Sequence, residues 1–233
     1  MGTLLDQAKP FGEKDHKVNI CLYGEPGIGK SVTSAKAPGA LVVQCERNAA
    51  LPLILHEETK NVPTLQIEES DQVMDLYWEI RKEKWDETRT VVLDTASELQ
   101  MRNLAEIWKA EQKKGKRPDN CPWQQDYKVN TEFMRDVIIS FCDLTCNVIF
   151  VCHETNEKNE LDGSMTTRPT FTPKLSATMY AYCDLMLYMY ADINIKGDMK
   201  RVIRSSPTRS IKAKDRLGLP NTFDAESLWE LIK

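Results

Sequence analysis

A glycine-rich stretch, GEPGIGKS over residues 24–31, has the residue spacing with the clearest chemical meaning in this sequence. It fits the pattern G-x-x-x-x-G-K-[ST], in which glycines let the backbone curl so that successive N–H groups point into one hollow for phosphate oxygens. In such a loop the lysine brings a positive charge to the β- and γ-phosphates, and the serine hydroxyl binds Mg²⁺. The pattern predicts that ATP and Mg²⁺ bind at Gly24, Glu25, Pro26, Gly27, Ile28, Gly29, Lys30, Ser31 and Val32.

A nucleotide site of this kind also needs a carboxylate near the Mg²⁺ ion. The apolar run TVVL over residues 90–93 ends in Asp94, which makes Asp94 the predicted metal-side group beside Ser31. The alternative is that Asp94 caps the helix that follows, a role for which Thr95 and Ser97 also compete.

Two glutamates compete for the role of general base toward water. Glu46 directly follows the apolar run ALVVQC, and Glu98 lies one turn beyond Asp94. His153 follows a further apolar run, NVIFVC. Because the carboxyl ends of parallel strands meet at one edge of a sheet, we expect Glu46, Asp94 and His153 to converge on the loop. Glu46 is the preferred base, although it also has Arg47 as a neighbour with which to pair, and His153 also fits a satisfied strand-end histidine.

The elements that position these groups follow from the hydrophobic pattern. Short apolar runs alternate with segments of helical periodicity, which predicts an α/β fold with a parallel sheet between two layers of helices. The predicted strands cover 17–23, 40–45, 90–93 and 147–152, and the predicted helices cover 30–36, 71–84, 97–112 and 124–145. The polar stretch 154–174 predicts a long loop. Beyond it, 183–193, 199–206 and 209–215 predict antiparallel strands at the C-terminal edge, before a terminal helix over 228–232.

Length and composition favour one domain. The 233 residues carry a net charge of −4, and we expect an N-terminal extension over 1–16 before a single domain over 17–233. The seven cysteines form no CxxC pair, which favours free buried thiols in a reducing compartment. The sequence shows neither a secretory signal nor an apolar run of about 20 residues, so a cytoplasmic protein is expected.

These motifs together resemble the RecA-like ATPase core. The resemblance is carried by GEPGIGKS, by Glu46 in VVQCER, by Asp94 in VVLDT and by His153 in VIFVCHE. It implies that Glu46 is the general base for water. It also implies that His153, which replaces a commoner glutamine, senses the γ-phosphate.

A C-terminal segment extends the resemblance. IKAKDRLG over residues 211–218 is similar to the segment that RecA-like helicases and recombinases insert into a neighbour's nucleotide site. The likeness implies that Lys214 and Arg216 act in trans on the γ-phosphate. It therefore also implies a homo-oligomer, either a ring or a filament.

The overall likeness is to phage-encoded RecA-like ATPases of the single-strand annealing and recombination type, through WQQDY, TPKLS and KAKDRLGLP besides the motifs above. This likeness implies single-stranded DNA as a partner and the host cytoplasm as the location. Basic residues near aromatic ones suit single-stranded nucleic acid, and the candidates are Lys113, Lys114, Lys116, Arg117, Arg168 and Lys174. The same residues also fit two solvated loops. The alternative function is a nucleotide-gated assembly or loading factor that acts on proteins, and a small-molecule kinase ranks below both.

Overall fold

The computed structural model describes residues 17–46, 51–86, 88–115, 121–160, 162–193 and 199–232. The predicted extension over 1–16 lies outside these ranges. Within them, no helix combines the length and the apolar character that crossing a membrane requires.

A single sheet holds the described strands together. Its order is β3-β2-β4-β5-β1-β7-β8-β9, with β6 paired to β5. The strands are β1 Asn19–Gly24, β2 Ala40–Gln44, β3 Thr64–Gln66, β4 Thr90–Asp94, β5 Asn147–Lys158, β6 Met165–Pro169, β7 Leu185–Ile193, β8 Met199–Arg204 and β9 Thr222–Asp224. The six strands from β3 to β7 in this order are parallel, whereas β6, β8 and β9 are antiparallel to their neighbours. The predicted α/β class, with a mostly parallel sheet and antiparallel strands at the C-terminal edge, is confirmed.

Helices cover both faces of this sheet. They are α1 Lys30–Ala35, α2 Leu51–Leu55, α3 Gln72–Glu83, α4 Ala96–Lys113, α5 Gln124–Cys142, α6 Pro173–Tyr182 and α7 Leu228–Leu231. Alternate residues of β1 enter two separate cores: Cys21 and Tyr23 pack with the apolar side chains of α3 to α6, and Ile20 and Leu22 pack with those of α1 and α7. Burial on both faces explains why the parallel strands read as continuous apolar runs.

The stretch after His153 differs from the sequence prediction. β5 continues to Lys158 and forms an antiparallel hairpin with β6, and α6 follows, so the long loop predicted over 154–174 is wrong. The polar residues of this hairpin are largely exposed, from Asn156 to the start of β6. A strand without a buried face lacks the apolar alternation by which strands are found in sequences.

The segment 209–215 was predicted as a further strand, and this prediction is also wrong. Only two isolated bridges form there, Thr167 with Ile211 and Met186 with Lys214. The edge strand of the C-terminal meander is instead β9, which pairs with β8. The cysteines follow the prediction: none forms a disulfide, and all except Cys121 are buried.

Candidate functional site

The glycine-rich loop leaves the carboxyl end of β1 and leads into α1. Gly29 has a φ of 104°, a conformation that residues with a side chain rarely adopt. At the start of the loop, a Cβ on Gly24 would lie only 2.2 Å from the carbonyl oxygen of Met189 on β7. Both glycines are therefore required by the backbone path of the loop.

The Lys30 side chain lies inside this loop and is only 5% exposed. Its ammonium group donates hydrogen bonds to the carbonyl oxygens of Gly24, at 2.9 Å, and Glu25, at 2.7 Å. Burial lowers the pKa of Lys30, while the nearby carboxylates of Asp94, Glu154 and Glu46 oppose that shift. A positive charge is thus held in the hollow, close to several negative charges.

Asp94 ends β4 and is 1% exposed. Among the described residues, neither carboxylate oxygen has a partner with hydrogen-bond geometry. Burial raises the pKa of Asp94 to about 6, and the charge of Glu46 acts in the same direction. The Ser31 hydroxyl and Lys30 act against it, although Ser31 forms no hydrogen bond to either Asp94 oxygen.

The cap of α4 is Thr95, whose side chain accepts a hydrogen bond from the Glu98 N–H at 3.2 Å. The alternative in which Asp94 is the helix cap is therefore excluded. An orphaned, buried carboxylate next to the Ser31 hydroxyl is a costly arrangement unless a cation completes it.

These two groups fit Mg²⁺. Protein sites hold this ion through one or two carboxylates together with waters and substrate phosphates, rather than through a full cage of side chains. The described part of the chain contains no group of three or more His, Cys, Asp or Glu residues that would hold a metal ion by itself. Ser31 and Asp94 would hold the ion here.

Both candidate general bases lie near His153, but they differ in what else they approach. Glu46 follows Cys45 at the end of β2, is exposed, and affects the pKa of Lys30, Asp94 and His153. Glu98 lies in the first turn of α4, with its Oε1 3.9 Å from Nε2 of His153. Glu46 is thus the candidate base whose charge acts on both Lys30 and Asp94.

His153 lies on β5 opposite Gly24, between the loop and Asp94 in the sheet. Its backbone N–H donates to the Ser97 hydroxyl at 3.1 Å, and its Nδ1 is buried without a partner among the described residues. Burial lowers the pKa of His153, as does Lys30, whereas Glu46 and Glu98 oppose this. The side chain is therefore a neutral imidazole with an open hydrogen-bonding position, and it is not a satisfied strand-end histidine.

Lys214 and Arg216 lie away from this site. The Lys214 ammonium donates to the carbonyl oxygens of Tyr180 and Cys183, at 2.6 Å each, and Arg216 pairs with Asp184 at 3.2 Å. Asp184 also accepts a hydrogen bond from the N–H of Asn19, at the amino end of β1. Both basic residues are therefore at the sheet edge opposite the phosphate loop, and they do not complete the nucleotide site of their own chain.

Of the predicted nucleic-acid residues that the structure describes, Arg168, Lys174 and Lys114 have acidic partners. Arg168 is only 14% exposed in its side chain, and it bonds to Glu157 and to the Ser176 hydroxyl, at 2.7 and 2.8 Å. Lys174 is 75% exposed and lies 3.5 Å from Glu132.

The remaining predicted nucleic-acid residues belong to the end of α4 and the segment after it. Lys113 is exposed, and Lys114 pairs with Glu111 at 2.8 Å. Lys116 and Arg117 lie outside the described residues.

Sequence reasoning missed two groups at the site. Ser97 was considered only as a helix cap, yet its hydroxyl binds the backbone of His153. Arg201 of β8 packs against Gly29: a Cβ on that glycine would lie 3.1 Å from the arginine Nε. No local motif surrounds Arg201, so only the fold brings it to the loop.

Comparisons with known proteins identify the family of this chain. A sequence model of the AAA domain family AAA_24 matches residues 16–217, while curated proteins give no match. Two solved structures are similar at 10% sequence identity each. The alignment with the flagellar accessory protein FlaH from Methanocaldococcus jannaschii has a TM-score of 0.43 and covers 83% of this chain and 80% of the FlaH chain. The alignment with an ATPase from the type III secretion system of pathogenic bacteria has a TM-score of 0.47 and covers 74% of this chain and 51% of the ATPase chain. Since the family match spans the phosphate loop and the strands that bring Asp94 and His153 to it, this chain belongs to the AAA domain family and is a P-loop ATPase domain.

Proposed function

We propose that this domain binds ATP together with Mg²⁺ and hydrolyses the bond between its β- and γ-phosphates. The observation that carries the proposal is Asp94, a buried carboxylate with two unpartnered oxygens beside Ser31 and Lys30. Such a group destabilises a protein unless a ligand satisfies it. A magnesium ion held by Ser31 and Asp94 would supply the missing partner of the carboxylate.

Each residue then has a distinct role. Ser31 and Asp94 would hold Mg²⁺, which would neutralise negative charge on the phosphates. Lys30 adds a positive charge from inside the loop, and the loop N–H groups hold the phosphate oxygens. Glu46, which follows the carboxyl end of β2 next to β4 and Asp94, accepts a proton from the attacking water. Neutral His153 offers one nitrogen to the γ-phosphate region.

The first experiment separates Glu46 from Glu98. Loss of a general base typically costs a factor of about 10² to 10⁴ in rate, so Glu46→Gln should bind ATP normally but turn it over at least about 100-fold more slowly. Glu98→Gln is the matched control and should retain most of the wild-type rate. Measurements of ATP binding and of phosphate release test this, and a Glu46→Gln enzyme with normal turnover would remove Glu46 from catalysis.

We further propose that the ATPase acts on single-stranded DNA in phage recombination, annealing or repair, in the host cytoplasm. We also propose that it assembles into a ring or filament in which Lys214 and Arg216 reach the next subunit's nucleotide. Support comes from the RecA-like motif set of the sequence. The location of these two residues at the edge opposite the phosphate loop suits head-to-tail contacts between subunits.

The alternative is a nucleotide-gated assembly or loading factor that acts on protein partners. The observation in its favour is that three of the proposed DNA-binding residues, Arg168, Lys114 and Lys174, have acidic partners within the chain. The β5–β6 hairpin is moreover rich in acidic residues: Glu154, Glu157, Glu160 and Asp162. Such a surface repels a phosphate backbone.

The ATPase rate with and without a single-stranded oligonucleotide separates the two functions. The DNA proposal predicts stimulation of the rate, together with binding that weakens steeply as the salt concentration rises. The same samples, with a non-hydrolysable ATP analogue, report the mass of the assembly. A rate that does not respond to DNA, combined with nucleotide-dependent assembly, would favour the alternative.

A further inference from the structure

Arg201 approaches the phosphate loop from the C-terminal edge of the sheet. On β7, Met189 lies opposite Gly24, and Ala191, two residues further on, pairs with Arg201 of β8. Because β7 continues past the end of β1, Arg201 lies just beyond the edge where the loop begins. The antiparallel addition to the sheet thus brings a cation next to the phosphate loop.

The contact with the loop is close. A Cβ built on Gly29 would lie 3.1, 3.3 and 3.5 Å from Nε, Cδ and Cζ of Arg201, respectively. The guanidinium group and the end of its aliphatic stem therefore pack directly on the residue that precedes Lys30. Gly29 also has a positive φ, so a side chain at this residue would disturb both the loop and the arginine.

The Arg201 charge has no carboxylate partner within ion-pair distance in the described ranges. The two nearby acidic groups, which line a cavity of about 260 Å³ together with Arg201, are engaged elsewhere. Asp224 pairs with Lys200 at 2.9 Å, and Glu226 lies 3.5 Å from Lys36. An exposed arginine held beside a phosphate loop, with its neighbouring acids already paired, is available to bind an anion.

The strand order shows which part of a nucleotide Arg201 would meet. Asp94, Glu46 and His153 lie on β4, after β2 and on β5, which are all on one side of β1. Arg201 lies on the other side, on β8 beyond β7. Because Ser31 and Asp94 would hold Mg²⁺ next to the terminal phosphates, the γ-phosphate would lie on the Asp94 side. The α-phosphate and the nucleoside would then lie toward β7 and β8.

We propose that Arg201 is a nucleotide-binding residue that contacts the α-phosphate in cis, from the side of the loop opposite the metal. This inference rests on the proposed ATP-binding function and deepens it. A contact to the α-phosphate is made equally with ATP and ADP, so Arg201 contributes to affinity for both. Groups on the Asp94 side, in contrast, act on the γ-phosphate, which ADP lacks.

The test compares Arg201→Ala and Arg201→Lys with a matched control, Lys200→Ala. Lys200 is the preceding residue on the same strand, carries the same charge and pairs with Asp224. Affinities for Mg–ATP and Mg–ADP are measured by calorimetry, and KM and kcat are measured by phosphate release. Lys30→Ala serves as the variant that reports on the phosphate site itself.

We expect Arg201→Ala to weaken binding of both nucleotides by about tenfold or more, as the loss of a charge-assisted hydrogen bond does. The defect in turnover should lie in KM, Arg201→Lys should retain part of the affinity, and Lys200→Ala should bind as the wild type does. Unchanged ADP affinity in Arg201→Ala overturns the inference, and so does a loss confined to kcat. If Lys30→Ala also binds normally, the proposed ATP site itself is wrong, a failure that this design keeps separate.

Discussion

Asp94 shows how a single residue links stability to function. Its carboxyl group is buried, its oxygens have no hydrogen-bond partner among the described residues, and burial raises its pKa from the ordinary 3.8 to about 6. At neutral pH the folded chain therefore holds an ionised group that it stabilises poorly. Such groups persist where a ligand makes use of them.

We predict that Asp94→Asn makes the nucleotide-free protein more stable while abolishing Mg²⁺-dependent turnover. Because the carboxyl pKa is higher in the folded than in the unfolded chain, ionisation of Asp94 destabilises the fold fully above about pH 6. Each pKa unit corresponds to about 1.4 kcal/mol, so the gain at pH 7.5 is up to about 3 kcal/mol.

Urea unfolding of both proteins at several pH values measures this gain. As the pH falls from about 6 toward 3.8, the wild-type carboxyl group takes up its proton and the difference should shrink. An Asp94→Asn protein with wild-type stability at pH 7.5 would show that the ionised carboxylate does not destabilise the fold. Ser31→Ala, which removes the other metal-side oxygen, should lose turnover without a comparable pH-dependent gain.

At the scale of elements, the C-terminal end of α6 gives Lys214 a role inside its own chain. Its ammonium group donates to carbonyl oxygens in and just after the last turn, those of Tyr180, Ala181 and Cys183. Carbonyls at a helix C-terminus lack partners within the helix, and a nearby cation stabilises them. Burial lowers the pKa of Lys214, and the Arg216 charge does so too.

We predict that Lys214→Ala destabilises the monomer by about 1 kcal/mol, the usual net contribution of such hydrogen bonds. Lys212→Ala is the control, since Lys212 is exposed and surface changes of this kind stay within about 0.5 kcal/mol. Urea unfolding at a concentration below assembly gives both values. Equal stability of the two variants would mean that the α6 contacts contribute nothing, which would leave Lys214 fully available to a neighbour.

At the scale of the whole molecule, one sheet separates two functional edges. The carboxyl edge carries the phosphate loop, Asp94 and His153, and the amino edge carries Lys214 and Arg216. A single chain therefore has its ATP site at one end and the proposed trans residues at the other. Repeating the same contact from one copy to the next would bring the two edges together.

We predict that two inactive variants restore activity when they are mixed. Glu46→Gln supplies intact Lys214 and Arg216, and a Lys214→Ala, Arg216→Ala double variant supplies an intact Glu46. In a random equal mixture, about one interface in four joins the two intact halves. Phosphate release across a series of mixing ratios measures the recovery. A rate equal to the sum of the two separate variants at every ratio would contradict a shared site.

Local sequence determined much of this protein. The glycine spacing of residues 24–31, the apolar run before Asp94 and the alternation of strands with helices each follow from neighbouring residues, and the structure confirms the loop, the strand and the α/β class. Backbone conformation and burial of a parallel strand leave such short-range patterns.

Only the tertiary structure decided the rest. The β5–β6 hairpin buries no apolar face, so hydrophobic periodicity does not reveal it, and Lys214 reads as a surface residue until α6 is placed beside it. The contact of Arg201 with Gly29 depends on the pairing of β7 with both β1 and β8. These contacts join residues far apart in the chain, and their geometry is set by the register of the sheet and not by any neighbouring residue. The sequence alone therefore predicted which loop binds phosphate, and the fold decided which distant charges surround that loop.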